Sequence, residues 1–268
     1  MTDGNPAEAA RPRRYLPARA VGLVSVAAVL LLWQIAVTAG LISPVLLPGP
    51  IDVVRAFIDV MRHGYRDTSL LANLLATLGR CLAGFALAVI AGIPLGLAMG
   101  TSARLAAAFD YLIQFLRPLP PLSYMILLVL WFGADEGSKI VLLFLTAFPI
   151  IVSAAMAGVR NVPGRSLQAA AMLGASRRQT FWRVVLPSAL PLISTGLKIA
   201  LAATFSTVVA AEFVSAQSGL GWMVLSASKY LQNATIIMGV VLLGLIGMAL
   251  SGLLHLLDLR LIHWRRAR

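Results

Sequence analysis

Four ionisable side chains, Arg80, Arg117, Lys198 and Glu212, lie within or at the ends of long apolar stretches. A charge in hydrocarbon is costly, so each marks a solute or ion pathway, a buried ion pair or a tie to freed backbone. Arg80 is more than two turns inside its stretch and either faces a translocation pathway or is paired internally. Glu212, near the end of a later stretch, is its expected partner, and an anionic solute meeting Arg80 is the rival reading. Lys198 is close enough to a helix end to snorkel, while Arg117 stands beside Pro118, Pro120 and Pro121, where freed carbonyls can accept its donors. Both read as structural. Bond-breaking chemistry has no counterpart here: the chain contains no H-E-x-x-H, no G-x-S-x-G and no catalytic pair of carboxylates. None of Lys139, Lys198 and Lys229 follows a glycine, so there is no G-x-x-x-x-G-K-[ST] phosphate loop and energy must come from a partner or an ion gradient. Cys81 is the only cysteine, which leaves no intrachain disulfide and no cysteine-based metal site.

A second constellation occupies residues 166–191, SLQAAAMLGASRRQTFWRVVLPSALP, a basic amphipathic segment between apolar stretches. Ser166 is placed to cap a helix running to Leu173, with Gly174 as a flexible or left-handed exit. Ser176 opens a second helix, and Gln179 three residues on completes a capping box. The run Ala169-Ala170-Ala171 offers a smooth surface that a partner's groove can approach, flanked by the apolar knobs Leu167, Met172 and Leu173. In the second helix Phe181, Val184 and Val185 can face membrane or core while Arg177, Arg178 and Arg183 reach water. Leu186-Pro187 is expected to end it and redirect the chain.

These residues must be positioned by membrane-spanning helices. The chain is 59% hydrophobic and only 12% charged, with mean hydropathy +0.88, more apolar surface than a soluble domain of this length can bury. Its net charge of +12 sits in short clusters between apolar runs, as topology signals do, and gives no reason to invoke nucleic acid. A hydrocarbon layer needs about 20 apolar residues per helix. Six spans are predicted, at residues 20–39, 70–99, 109–132, 140–159, 192–214 and 236–257. The first is longer than a signal-peptide core and lacks a clear cleavage site, so it is read as a retained helix. Residues 41–67 hold a short amphipathic helix at the membrane surface, with Ile51, Val54, Ile58 and Met61 at helical spacing. Gly92 and Gly96 form a close-packing pair in the second span. The third must break at Arg117-Pro118-Leu119-Pro120-Pro121.

With a cytoplasmic N-terminus, fourteen Lys and Arg residues fall inside, five outside and three within spans, accounting for all twenty-two. The positive-inside rule therefore places residues 1–19 and 258–268 in the cytoplasm as basic tails, the transmembrane domain at 20–257, and the loop at 160–191 on the cytoplasmic side. Residues 133–138 and 215–222 then face outside, as exposed loops.

The cytoplasmic loop resembles the EAA loop of permease subunits in ATP-binding cassette importers: Gln168-Ala169-Ala170, then Gly174, then Val184 and Leu186-Pro187. Gln168 stands where that pattern has Glu and removes the charge a salt bridge there would need. Resemblance extends over residues 47–232 through Leu47-Pro48-Gly49-Pro50, Thr77-Leu78-Gly79-Arg80, Gly92-Ile93-Pro94-Leu95-Gly96, Arg117-Pro118-Leu119-Pro120-Pro121, Leu130-Trp131-Phe132-Gly133 and Gly219-Leu220-Gly221. These are similar to the branch that imports sulfonates, taurine and nitrate.

The resemblance implies an all-α type I importer permease fold in a bacterial-type inner membrane, with no enzymatic activity of its own. It implies a permease homodimer, a separate ATPase that holds ATP-Mg, and an extracytoplasmic solute-binding protein; no cofactor or metal is expected on this chain. Gln168, Ala169, Ala170, Gly174, Ala175, Ser176, Leu186 and Pro187 are the expected ATPase-coupling residues, and Arg80 and Glu212 the expected pathway or gating pair. Two other classes stay open on the residues alone. An ion-coupled carrier would need buried acids, of which Glu212 is the lone example in a span while Asp110 lies near a helix start. A membrane anchor for a cytoplasmic partner would need only the 160–191 loop.

Overall fold

The computed structural model describes residues 18–261; of the tails expected at 1–19 and 258–268, residues 1–17 and 262–268 lie outside them. The described residues form helices α1 (Ala18–Thr38), α2 (Pro50–His63), α3 (Leu70–Thr101), α4 (Ala103–Leu116), α5 (Pro121–Phe132), α6 (Glu136–Arg160), α7 (Gly164–Met172), α8 (Arg177–Thr180), α9 (Leu186–Ser215), α10 (Leu220–Lys229) and α11 (Asn233–Leu261). Among the described residues the only extended pairing is an isolated bridge between Tyr65 and Thr68.

By length and composition, α3, α6, the run Arg177–Ser215 and α11 can each cross a membrane. α4 and α5 make one further span, bent by 101° at the proline cluster. The break follows from chemistry: Pro118, Pro120 and Pro121 supply no N–H, and Pro121 instead serves as the first residue of a new helix. The expected span at 20–39 coincides with α1, a 21-residue apolar helix. Among the described residues four helices are long and apolar enough to cross, or five with the bent α4–α5 pair taken as one span, and α1 lies at the first of the six predicted spans. The C-terminal helix also runs beyond the expected boundary at 257, to Leu261.

α3, α6 and α9 form the central stack. α3 buries Thr77, Cys81, Gly84, Ala88, Gly92 and Gly96 at every third or fourth position, so one ridge of small side chains faces α6 along its length. A methyl group at Gly84 would stand 2.5 Å from Leu143 Cβ, and one at Gly96 2.6 Å from Ala155 Cβ. The Gly92–Gly96 pair thus lies in a longer close-packed seam. Small residues matter because lipid tails are as apolar as leucine, and helices in a bilayer gain by packing closely rather than by leaving water.

α2 lies in the segment expected to hold a short amphipathic helix. Val53, Ala56, Phe57 and Val60 pack against α10 and α11, whereas Ile51, Val54, Ile58 and Met61 are exposed. The helix has two apolar faces, one for the protein and one free to meet lipid. α10 was not anticipated. It is too short to cross, and its Leu220, Met223 and Ala227 are buried where α10 packs against α3, α9 and α11.

Candidate functional site

The buried ridge of α3 carries polar residues at one end, Asn73, Thr77 and Arg80, one to two turns apart on the same face. This end of α3 meets the start of α6 and the end of α9, because α3 runs parallel to α6 and antiparallel to α9. Arg80 Nη1 donates to Glu212 Oε1 at 2.7 Å and to the Ser218 carbonyl at 2.7 Å. Its Nε donates to Glu136 Oε2 at 2.5 Å, and Nη2 to Glu136 Oε1 at 2.8 Å and Ser218 Oγ at 3.1 Å. A guanidinium has five N–H donors, and all five are engaged. In this conformation Arg80 has no donor left for an anionic solute.

Glu212 is fully enclosed, with 0% exposure. Its Oε1 also accepts the Thr77 hydroxyl at 2.8 Å, and its Oε2 accepts the Gly221 N–H at 2.8 Å. Leu220 N–H donates to Thr77 Oγ1 and Gly219 N–H to Asn73 Oδ1, both at 2.8 Å. The otherwise unpaired donors that open α10 are thus absorbed by side chains of α3 and α9, and the positive end of α10 lies against a carboxylate. Glycine is required for this approach. Gly219 has φ +120°, and a Cβ there would enter the Glu212 carboxylate; at Gly221 it would lie 2.8 Å from the Val209 carbonyl. Lys139 adds a second cation, reaching Glu136 Oε1 at 3.4 Å and the Ala134 carbonyl at 3.2 Å. Arg80 and Lys139 balance Glu136 and Glu212, which is the condition for keeping charges out of water.

The expected Arg80–Glu212 contact is therefore present, with partners sequence reasoning missed: Glu136, Ser218, Asn73 and Thr77. Residues 215–222, expected as an exposed loop, instead bury Gly219, Leu220 and Gly221. In 133–138 the exposed part is Gly133 to Gly137, and Ser138 is buried. The signal available was Gly219-Leu220-Gly221, seven to nine residues beyond a lone membrane carboxylate: backbone that can come close to a charge needing donors.

At the other end of the bundle, α7 starts at Gly164 after an extended Pro163, so Ser166 lies within the first turn and does not cap it. Pro163 supplies the turn into the helix before Ser166 is reached. Its exit matches expectation. Gly174 has φ +72°, Ala175 N–H bonds the Ala170 carbonyl and Gly174 N–H bonds the Ala171 carbonyl, the paired contacts of a Schellman motif. Ser176 then caps α8: its Oγ accepts from Gln179 N–H and Gln179 Oε1 accepts from Ser176 N–H. Gln168, Ala169, Ala171, Met172, Leu173 and Gly174 are exposed, Met172 and Leu173 almost completely, whereas Ala170 is turned inward at 8%. The expected three-alanine surface is reduced to two because successive helical residues point about 100° apart.

Leu186-Pro187 does not end the helix. α8 continues through a π-turn, Phe181–Val185, directly into α9. Leu186 N–H reaches back to the Phe181 carbonyl, five residues away, and this looser turn accommodates the Pro187 ring without a stop. Arg177, Arg178 and Arg183 are exposed and Val185 is buried, as the amphipathic pattern requires. About three turns further along α9, Lys198 Nζ donates to Asp258 Oδ2 at 2.6 Å, and Ser194 Oγ to Asp258 Oδ1 at 2.6 Å, tying α9 to α11. Lys198 is structural, but by pairing and not by snorkelling. Arg117 is exposed, and among the described residues no carbonyl at the proline break accepts its side chain, contrary to expectation.

Residues 88–263 match the family described as binding-protein-dependent transport system inner membrane component. The taurine transport system permease protein TauC of Escherichia coli (strain K12) is 41% identical over 241 residues, covering 90% of this chain and 88% of that one. A protein of Bacillus subtilis (strain 168) named for aliphatic sulfonates transport, SsuC, is 31% identical over 92% of this chain and 88% of its own. The nitrate import permease protein NrtB of Leptolyngbya laminosa is 33% identical over 80% and 78%. Among solved structures, an inward-facing MetNI methionine ABC transporter superposes with TM-score 0.61 at 20% identity, covering 72% of this chain and 94% of that chain, a likeness of fold alone.

Proposed function

Because this chain belongs to the family of binding-protein-dependent transport system inner membrane components, the permease subunits of ATP-binding cassette importers, we propose that it forms the membrane pathway for a small anion such as an aliphatic sulfonate, taurine or nitrate. It is a transport subunit and not an enzyme, and ATP hydrolysis belongs to a separate ATPase. The anion follows from the names of its relatives.

The partners proposed are that ATPase, carrying ATP-Mg, an extracytoplasmic solute-binding protein and a second copy of this chain. Both termini and the 160–191 loop are assigned to the cytoplasm from the charge distribution. One observation supports the coupling mechanism above others. The exposed surface around Gly174 is continuous, through Arg177–Ser215 without a helix break, with the element that carries Glu212. At 1.5 Å per residue this is a rod of roughly 60 Å. A push on Gln168, Ala169, Gly174, Ala175 and Ser176 would reach the Arg80 cluster as a rigid-body movement through Leu186 and Pro187. Arg80 and Glu212 would then gate one state of the cycle instead of binding solute.

The test uses the full chain co-expressed with its ATPase, tagged and purified. Wild type retains the ATPase and the Gly174→Asp variant loses it; proteoliposomes with binding protein take up radiolabelled taurine, ethanesulfonate or nitrate only with ATP. Uptake by this chain without nucleotide or ATPase would instead favour an ion-coupled carrier.

A further inference from the structure

Arg117, exposed at the α4–α5 break, is a charge for which the contacts above account for nothing. It lines a cavity of about 330 Å³ beside the α4–α5 break, with Tyr124, Thr146, Ser206 and Thr207 as the other polar residues of the lining. Leu145, Pro149, Ile150 and Ala203 make the remainder mostly apolar. A few polar groups converging in a concave apolar surround is the usual form of a small-ligand site.

Depth matters. Thr146 lies ten residues into α6 from Glu136, roughly 15 Å along a helix, and Thr207 eight residues before the end of α9, roughly 12 Å. A hydrocarbon layer is about 30 Å thick, so both are near its midplane and beyond the reach of lipid phosphates at the interface. Leaving a guanidinium there without a carboxylate is expensive unless it meets water or an anion. The charge balance differs sharply from that around Arg80. Among the described residues no ion pair or hydrogen bond engages the Arg117 side chain, and the cavity lining includes no Asp or Glu.

Ser206 is exposed and Thr207 is 8% exposed, and neither hydroxyl has a hydrogen-bond partner among the described residues. The start of α5, at Pro121, also lines the cavity and turns the positive end of a helix dipole toward it. A planar fork of N–H donors with hydroxyls beside it suits the several oxygens of a sulfonate or nitrate.

We propose that the cavity at the α4–α5 break is a mid-membrane station for a small oxyanion, held by Arg117 with Ser206 and Thr207. It rests on the anion-import reading above and deepens it by naming where the solute is met inside the bilayer. The same guanidinium would reject cationic solutes, so selection would not be left entirely to the binding protein.

Two measurements on the complete transporter test this. In the first, Ser206→Cys is introduced and the complex, held in nanodiscs, reacts with methanethiosulfonate reagents bearing a sulfonate or a quaternary ammonium group. Native Cys81 is fully buried and should stay silent, which the parent protein checks. The sulfonate reagent should react faster, and Arg117→Ala should lower the sulfonate-to-ammonium rate ratio by about tenfold, the scale of field focusing in a charged cleft. A ratio unchanged by Arg117→Ala overturns the proposal.

In the second, uptake of taurine, ethanesulfonate and nitrate is compared across Arg117→Ala and Arg117→Lys. The expected result is loss of at least tenfold in Arg117→Ala, partial rescue in Arg117→Lys and undiminished ATPase association. Wild-type anion uptake matched by Arg117→Ala would overturn the station and leave the importer reading standing. A wild-type complex that imports only neutral or cationic solutes would overturn both.

Discussion

Glu212 makes sense only as the centre of a saturated set of donors. A carboxylate enclosed at 0% exposure receives Thr77, Arg80 and the Gly221 N–H, and Arg80 in turn spends every donor on Glu212, Glu136 and Ser218. Removing one charge strands the other in a desolvated place, at a cost of about 3–5 kcal/mol. Arg80→Ala and Glu212→Ala should each lower the detergent melting temperature strongly, and the double variant should be less damaged than the sum of the two. Additive losses would show that the two residues act independently. A finer test concerns Gly221, where a methyl group would lie 2.8 Å from the Val209 carbonyl and 3.0 Å from Glu212 Oε2. Gly221→Ala should cost about 1–3 kcal/mol by overpacking, whereas Gly137→Ala, with open space around it, should leave the melting temperature unchanged. At this scale the sequence exposed the two members that lie in apolar stretches, because a charge in such a setting stands out by itself. Glu136 and Ser218 sit where polar residues are ordinary, and their recruitment depends on how helix ends meet in space. Arg117 shows the reverse: its neighbours in sequence suggested partners at the break, and the 101° bend turned it away from them.

Elements show a similar division. Gly174 and the Ser176–Gln179 box were legible because capping depends on residues within one turn of each other. The π-turn was not. Leu186-Pro187 ordinarily signals an end, and its tolerance here depends on a five-residue bond from Leu186 to Phe181 that packing of Val185 and Ala189 against α6 holds in place. If Pro187→Ala supplies the missing N–H, Phe181–Val185 should relax toward a regular helix. The coupling surface would then rotate relative to α9 by up to about 100°, the turn per helical residue. We expect the ATPase to remain bound while solute delivered per ATP falls several-fold, measured as uptake and phosphate release in the same proteoliposomes. An unchanged ratio would mean that the orientation set by the π-turn is irrelevant to coupling. Gly174 tests the neighbouring joint: at φ +72° with nothing near its Cβ position, Gly174→Ala carries strain alone, about 1 kcal/mol. It should weaken ATPase retention less than Gly174→Asp, which adds a charge to the exposed surface.

Across the whole molecule, the two ends of the Arg177–Ser215 run carry opposite kinds of surface. One end is exposed and small-featured around Gly174, and the other is locked into a cluster joining α3, α6, α9 and α10. A lock that belongs to only one state of a transport cycle must be strong enough to hold and weak enough to release. Glu136 is the member suited to release, since its side chain is 56% exposed while its partner Arg80 is 5% exposed. Water can replace Arg80 at Glu136 far more easily than it can reach Glu212. Glu136→Gln keeps the size and hydrogen bonding of the side chain but removes one charge from the balanced set, so it should loosen α6 from α3 and α9 without unfolding them. If the cluster gates the cycle, ATP hydrolysis in the absence of solute-loaded binding protein should rise several-fold, and the further stimulation by loaded binding protein should shrink. A purely structural cluster would give a lower melting temperature with basal hydrolysis unchanged. The two quantities, read on one preparation, separate a gate from a brace, because a brace contributes equally to every state and cannot shift the balance between them.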